Sequence, residues 1–158
     1  MSGAAVERQL GGADLVAGAQ VAERRVVLDA AAFRGFADLT GDAHPIHYDA
    51  VYAKAHGLRA PIAHGLLIVA MTALGATTLS PRLADSMIAM LGVEVRFVAP
   101  VFLGDAVVVR FRVEGVTPKS ANRCLAAFAV DVRSPEGDLH AEATQRYLLK
   151  HRLKGQAA

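Results

Sequence analysis

Residues 64–79 are apolar on every side, and after Pro81 the chain turns to strict alternation; this order constrains the fold more than any other feature of the sequence. A helix with no wet face has to be surrounded by protein. The runs that follow can surround it. Leu91, Val93, Val95 and Phe97 alternate with Gly92, Glu94 and Arg96, and Val107, Val109, Phe111 and Val113 alternate with Val108, Arg110, Arg112 and Glu114. A third run sets Ala126, Phe128, Val130 and Val132 opposite Ala127, Ala129, Asp131 and Arg133, and a fourth covers residues 139–149. Turn signals separate them at Pro100 with Gly104-Asp105, at Pro118-Lys119-Ser120 and at Pro135-Glu136-Gly137-Asp138. The expected class is α+β, with a curved antiparallel sheet wrapped around a long buried central helix over residues 64–79. The strand edges and second face then need cover, which favours a dimer.

Ahead of that helix, residues 25–29 read as a short strand. Asp29 is placed to cap a helix over residues 30–38, with Phe33, Phe36 and Ala37 on one face and Gly41 as its stop. Residues 42–62 hold Pro45, Gly57 and Pro61 and read as a structured connection containing a short helix over residues 49–55. At 158 residues the chain is the size of one domain, expected over residues 21–152. Residues 1–20, rich in Gly and Ala, are expected as a flexible lead-in, and residues 153–158 as a flexible tail. Glu7 and Asp14 speak against a secretory or transit peptide in the lead-in.

A net charge of +2, from 17 basic and 15 acidic side chains, sets up no field that calls for nucleic acid or a membrane surface. The basic cluster Arg146, Lys150, His151, Arg152 and Lys154 reads as a solvated end. A stretch of near bilayer-spanning length, residues 62–79, is interrupted by His64, Thr72, Gly75, Thr77 and Thr78, so a buried helix explains it better. The lone Cys124 sits in an apolar run and reads as a small buried thiol in a reducing, cytoplasmic compartment.

Chemistry concentrates in Gly41-Asp42-Ala43-His44-Pro45-Ile46-His47-Tyr48-Asp49, followed downstream by Ala63-His64-Gly65. A carboxylate and an imidazole five residues apart, joined through a proline that forbids a helix, can converge on one volume and activate one water. Each residue also has a plainer reading. Asp42 after Gly41 can be a turn residue, His47 a satisfied half-buried ring, and His64 a substitute helix cap. Tyr48 and Asp49 read as the start of the next short helix, and Asp105 as a hairpin turn residue. His44, His47, His56 and His64 raise a metal site, but Pro45 constrains the first pair and no Cys or clustered carboxylate completes a set, so no metal is expected.

The stretch Phe36-Ala37-Asp38-Leu39-Thr40-Gly41-Asp42-Ala43-His44-Pro45-Ile46-His47-Tyr48-Asp49 resembles the signature of the MaoC-like (R)-specific enoyl-CoA hydratases, a branch of the hot-dog fold. Ala63-His64-Gly65-Leu66-Leu67 resembles the opening of that family's central helix, and Arg96-Phe97-Val98-Ala99-Pro100-Val101 with Gly104-Asp105 its following strand and turn. The likeness covers residues 21 to 150. It implies reversible hydration of a trans-2-enoyl-CoA to an (R)-3-hydroxyacyl-CoA, with Asp42 and His47 as the catalytic pair. The Gly65 N–H would polarise the thioester carbonyl, and His44, Ile46, His64 and Leu66 would lie against the substrate. No cofactor beyond the CoA thioester substrate is implied, and the partners would be an acyl-CoA or acyl carrier protein thioester and further copies of the chain, as a homodimer or an oligomer of dimers. His44 stands where many members have Asn. Alternatives are a 3-hydroxyacyl-ACP dehydratase, a thioesterase, and a non-catalytic thioester-binding subunit of a heteromeric dehydratase.

Overall fold

The computed structural model describes residues 8–154. Five antiparallel strands form one sheet in the order β1-β3-β4-β5-β2, where β1 is Gln20–Val27, β2 Met87–Phe97, β3 Ala106–Pro118, β4 Arg123–Arg133 and β5 Leu139–Lys150. The alternation read from the sequence sets the inner face of β3 and β4, whereas Leu91, Val93, Val95 and Phe97 of β2 are exposed in the single chain. Val107, Val109, Phe111 and Val113 of β3, Ala126, Phe128, Val130 and Val132 of β4 and Tyr147 and Leu149 of β5 are buried in one core. The outer face carries cross-strand ion pairs such as Arg110 with Glu23 and Arg96 with Glu142.

Among the described residues, three α-helices lie ahead of β2: α1 at Ala30–Thr40, α2 at Ala50–Ala55 and α3 at Gly65–Met71. Helix α1 starts where expected, with the Asp29 carboxylate accepting the Ala32 N–H at 2.9 Å. It runs two residues past its expected end and stops at Gly41, whose φ of 77° is the left-handed cap that glycine adopts without strain. Phe33 drops from α1 into the core, and Asp49 caps α2 by accepting from Val51 and Tyr52.

The long central helix over residues 64–79 does not form. Helix α3 ends at Met71, and 3₁₀ turns at Leu74–Ala76 and Ser80–Leu83 continue the path. A buried polar knot ends it: the Thr72 hydroxyl donates back to the Val69 carbonyl at 2.7 Å, and Gln145 of β5 donates to the Thr72 carbonyl at 3.0 Å and to its hydroxyl at 2.7 Å. Tyr147 donates in turn to Gln145 at 2.8 Å. With its carbonyl and hydroxyl both engaged sideways, Thr72 leaves the helical path. Nor is α3 wrapped on all sides, because Leu66 is 70% exposed.

The expected flexible lead-in over residues 1–20 is packed from Leu10 onward, while residues 1–7 lie outside the described part. Leu10 and Leu15 belong to the core, and the Leu10 N–H donates to the Arg82 carbonyl. A Cβ on Gly12 would overlap the Cys124 sulfur, so glycine there serves close approach. The strand expected at residues 25–29 spans Gln20–Val27. Among the described residues no helix is long and apolar enough to cross a membrane.

Candidate active site

The site forms where the exit of α1, the turn before α2 and the start of α3 meet. Thr40 donates to the Phe36 carbonyl and its hydroxyl accepts the Asp42 N–H at 3.2 Å, so Asp42 leaves α1 directly through the Gly41 cap. The carboxylate accepts the His44 N–H at 3.4 Å, the turn role expected of Gly-Asp, and its second oxygen lies 4.0 Å from the His64 Nε2. Pro45 opens a 3₁₀ turn, Pro45–His47, that swings His47 back toward Asp42. One atom each of the Asp42 carboxylate, the His47 ring and the His64 ring lie within 4.8 Å of one another. One water molecule fits between groups at that separation.

Ile62 sets the tautomer of His47. Its carbonyl can only accept, so the His47 Nδ1, 2.7 Å away, carries a proton and donates it. In the neutral ring Nε2 then holds the lone pair.

His64 is 3% exposed and stacks on His47 with centroids 3.7 Å apart. Its Nε2 stands 3.2 Å from the Asp42 carbonyl and 3.1 Å from the Tyr48 hydroxyl, which itself lies 3.1 Å from the Phe33 carbonyl and 3.2 Å from that of Asp42. Its Nδ1 is buried and meets no hydrogen-bond partner among the described residues. Burial holds the His64 pKa below the usual imidazole value, and the neighbouring His47 adds to the effect against the opposing pull of Asp42. Burial, then the charges of Asp42 and Asp38, push the Tyr48 hydroxyl up. The side chain of His64 makes no cap for α3. It is a second layer behind His47.

Gly65 is the first residue of α3, where an N–H has no intrahelical acceptor. A helix of seven residues aligns few peptide dipoles, so the N–H itself matters more than the macrodipole invoked for a long helix. A Cβ at Gly65 would meet the Phe97 ring at 2.9 Å, and an apolar groove of about 460 Å³, lined by Gly65, Ile62, Ile68, Leu58 and Phe97, opens beside it. A second apolar pocket of about 270 Å³ lies against His47 and Tyr48, walled by Phe33 and Leu103. The structure therefore brings Asp42, His47 and His64 together, with Gly65 following His64 at the start of α3. His44 sits at the rim, its Nδ1 accepting the Ile46 N–H at 3.3 Å. Ile46 is half-buried, and Leu66 faces outward.

As a metal set, Asp42, His47 and His64 are poorly arranged. Ring planes only 23° apart and stacked send their in-plane lone pairs side by side instead of toward one point, and His47 Nδ1 and His64 Nε2 are engaged in hydrogen bonds. Sequence reasoning missed the role of Tyr48, which ties α1, Asp42 and His64 together. The available signal was a phenol next to His47 in a tight turn.

A family model described as "MaoC like domain" matches residues 14–131. Among solved structures, a monoamine oxidase regulatory protein from Archaeoglobus fulgius is 26% identical, with a TM-score of 0.85 over 94% of this chain and 99% of the other. The R-hydratase PhaJ1 from Pseudomonas aeruginosa is 26% identical, with a TM-score of 0.76 over 95% and 94%. An (R)-hydratase from A. caviae involved in PHA biosynthesis is 26% identical, with a TM-score of 0.69 over 88% and 98%. No curated protein matches the chain.

Proposed function

Since the chain belongs to the MaoC-like domain family, with hydratases of the hot-dog fold among its structural neighbours, we propose that it adds water reversibly to trans-2-enoyl-CoA, giving (R)-3-hydroxyacyl-CoA. The observation that carries this reading is the approach of Asp42 and His47 to within reach of one water, beside the free N–H of Gly65. In the hydration direction, water gives its hydroxyl to C3 and a proton reaches C2, while negative charge builds on the thioester oxygen. With Nδ1–H held by Ile62, the His47 Nε2 accepts the water's proton and returns it to C2, while the Asp42 carboxylate orients the same water. The Gly65 N–H stabilises the thioester oxygen, and no Cβ obstructs its approach. The acyl chain lies against the apolar lining next to Gly65 and His47.

The same reading includes a homodimer. Strand β2 is a sheet edge, and Ile88, Met90, Leu91, Val93, Val95 and Phe97 on it are exposed in the single chain. Pairing with the β2 of a second copy satisfies the open backbone edge and covers this surface.

The test is loss of enoyl absorbance with crotonyl-CoA and with the matching acyl carrier protein thioester, followed by chiral analysis of the product. Formation of the (R)-3-hydroxyacyl thioester supports the reading. Release of free thiol would indicate a thioesterase instead, and thioester binding without turnover a non-catalytic subunit.

A further inference from the structure

The carbonyl that fixes His47 and the N–H assigned to the thioester oxygen belong to one short segment, residues 62–65. That segment is attached to the β2–β3 connection by an isolated bridge. The Ala63 N–H donates to the Val101 carbonyl at 2.8 Å, the Leu103 N–H donates to the Pro61 carbonyl at 2.9 Å, and Ile62 pairs with Phe102. A two-stranded contact this short does not hold itself in register.

Asp105 and Arg59 close the bridge from its two sides. The Asp105 carboxylate accepts the Phe102 N–H at 3.0 Å and takes two bonds from the Arg59 Nη2, at 2.7 and 2.6 Å. The Arg59 guanidinium carbon lies 4.0 Å above the centre of the Phe102 ring. The backbone of Asp105 is anchored in turn, its carbonyl accepting from Leu28 while Gly104 donates back to Leu28. A continuous path of contacts therefore runs from the β2–β3 turn through Phe102 and Ile62 to the His47 Nδ1.

We propose that Arg59 and Asp105 are positioning residues that clamp residues 61–63 onto residues 101–103 and thereby set both the His47 tautomer and the place of the Gly65 N–H. A simple stabilising ion pair is the weaker explanation. The side chains are 59% and 26% exposed, and pairs so exposed add little to global stability. The clamp lies outside the reaction volume and touches no reacting atom.

The kinetic part rests on the hydratase reading, so the experiment carries a second readout that does not. Full-length Arg59→Met, which keeps an apolar stem over Phe102, and Asp105→Asn, which keeps an acceptor for the Phe102 N–H, are compared with wild type. Crotonyl-CoA kinetics, thermal melting and the ring ¹⁵N shifts of His47 are measured on each. We expect kcat to fall roughly tenfold or more with KM within about twofold, because small displacements of catalytic groups are costly. Tm should stay within about 4 °C, while His47 loses its pure Nδ1–H signature. Wild-type kcat with an unchanged His47 tautomer in both variants would overturn the clamp, as would a large fall of Tm in both. Absence of turnover by the wild type would defeat the hydratase reading alone, and the His47 tautomer would then decide the clamp.

Discussion

The imidazoles of His47 and His64 stack with centroids 3.7 Å apart and planes 23° from parallel, the first half-buried and the second 3% exposed. Two rings in contact resist carrying two charges, and burial decides which stays neutral. Protonation of His64 would also place a charge beneath His47 that no carboxylate among the described residues contacts more closely than 4.0 Å.

This predicts a pH signature. The folded-state pKa of His64 is lowered, so the unfolded chain binds a proton there more readily than the native protein does. Stability from this residue is fully present above the unfolded value of about 6.5 and declines as pH falls below it. His64→Gln, which cannot titrate, should show a shallower loss of Tm between neutral and acidic pH than wild type. Parallel melting curves across that range would contradict the assignment.

Tyr48→Phe removes the hydroxyl shared by the Phe33 carbonyl, the Asp42 carbonyl and His64. Denaturant unfolding should report a loss of about 1 kcal/mol, the worth of a typical hydrogen bond. Because the Asp42 carboxylate itself accepts only a long turn bond among the described residues, kcat should fall further than stability accounts for, with KM nearly unchanged.

Gly65→Ala separates packing from chemistry. The new methyl meets the far end of Phe97, a ring 47% exposed that can turn away, so unfolding should change by no more than about 1 kcal/mol, offset in part by the better helix propensity of alanine. The methyl also crowds the approach to the N–H, and the rate with enoyl thioester should drop by roughly 10²-fold. Unchanged kinetics would remove Gly65 from the site.

Val93→Lys sets a charge in the apolar part of the β2 edge. Sedimentation should show a dimer for wild type and a shift toward monomer for the variant. A monomeric wild type would contradict the pairing.

Local signals were readable in the sequence and long-range ones were not. Asp29 and Gly41 act on backbone within a few residues, and their caps stand where the sequence placed them, while Asp49, read as the first residue of α2, caps it instead. The inward sets of β3 and β4 followed from alternation, although Val108, set on the other face by that pattern, is buried as well. The early end of α3 depends on Gln145, which reaches Thr72 across 73 positions, and no local pattern at residues 64–79 encodes it. The Gly-rich lead-in looked unconstrained because small residues serve close packing as well as flexibility, and only the partner, Cys124 for Gly12, tells the two apart. At the site, Asp42 and His47 stood out by residue type and spacing. The roles of Tyr48, Arg59 and Asp105 did not, since Tyr48 reaches the backbone of Phe33 across 15 positions and Arg59 meets Asp105 across 46.

The most direct measurement is the hydration rate of crotonyl-CoA by wild type and by Asp42→Asn, with folding of both checked by circular dichroism. The account predicts turnover by wild type and a loss of roughly 10²- to 10⁴-fold in the variant, the span supplied by a positioned acid–base group. Equal rates in two folded proteins would contradict it.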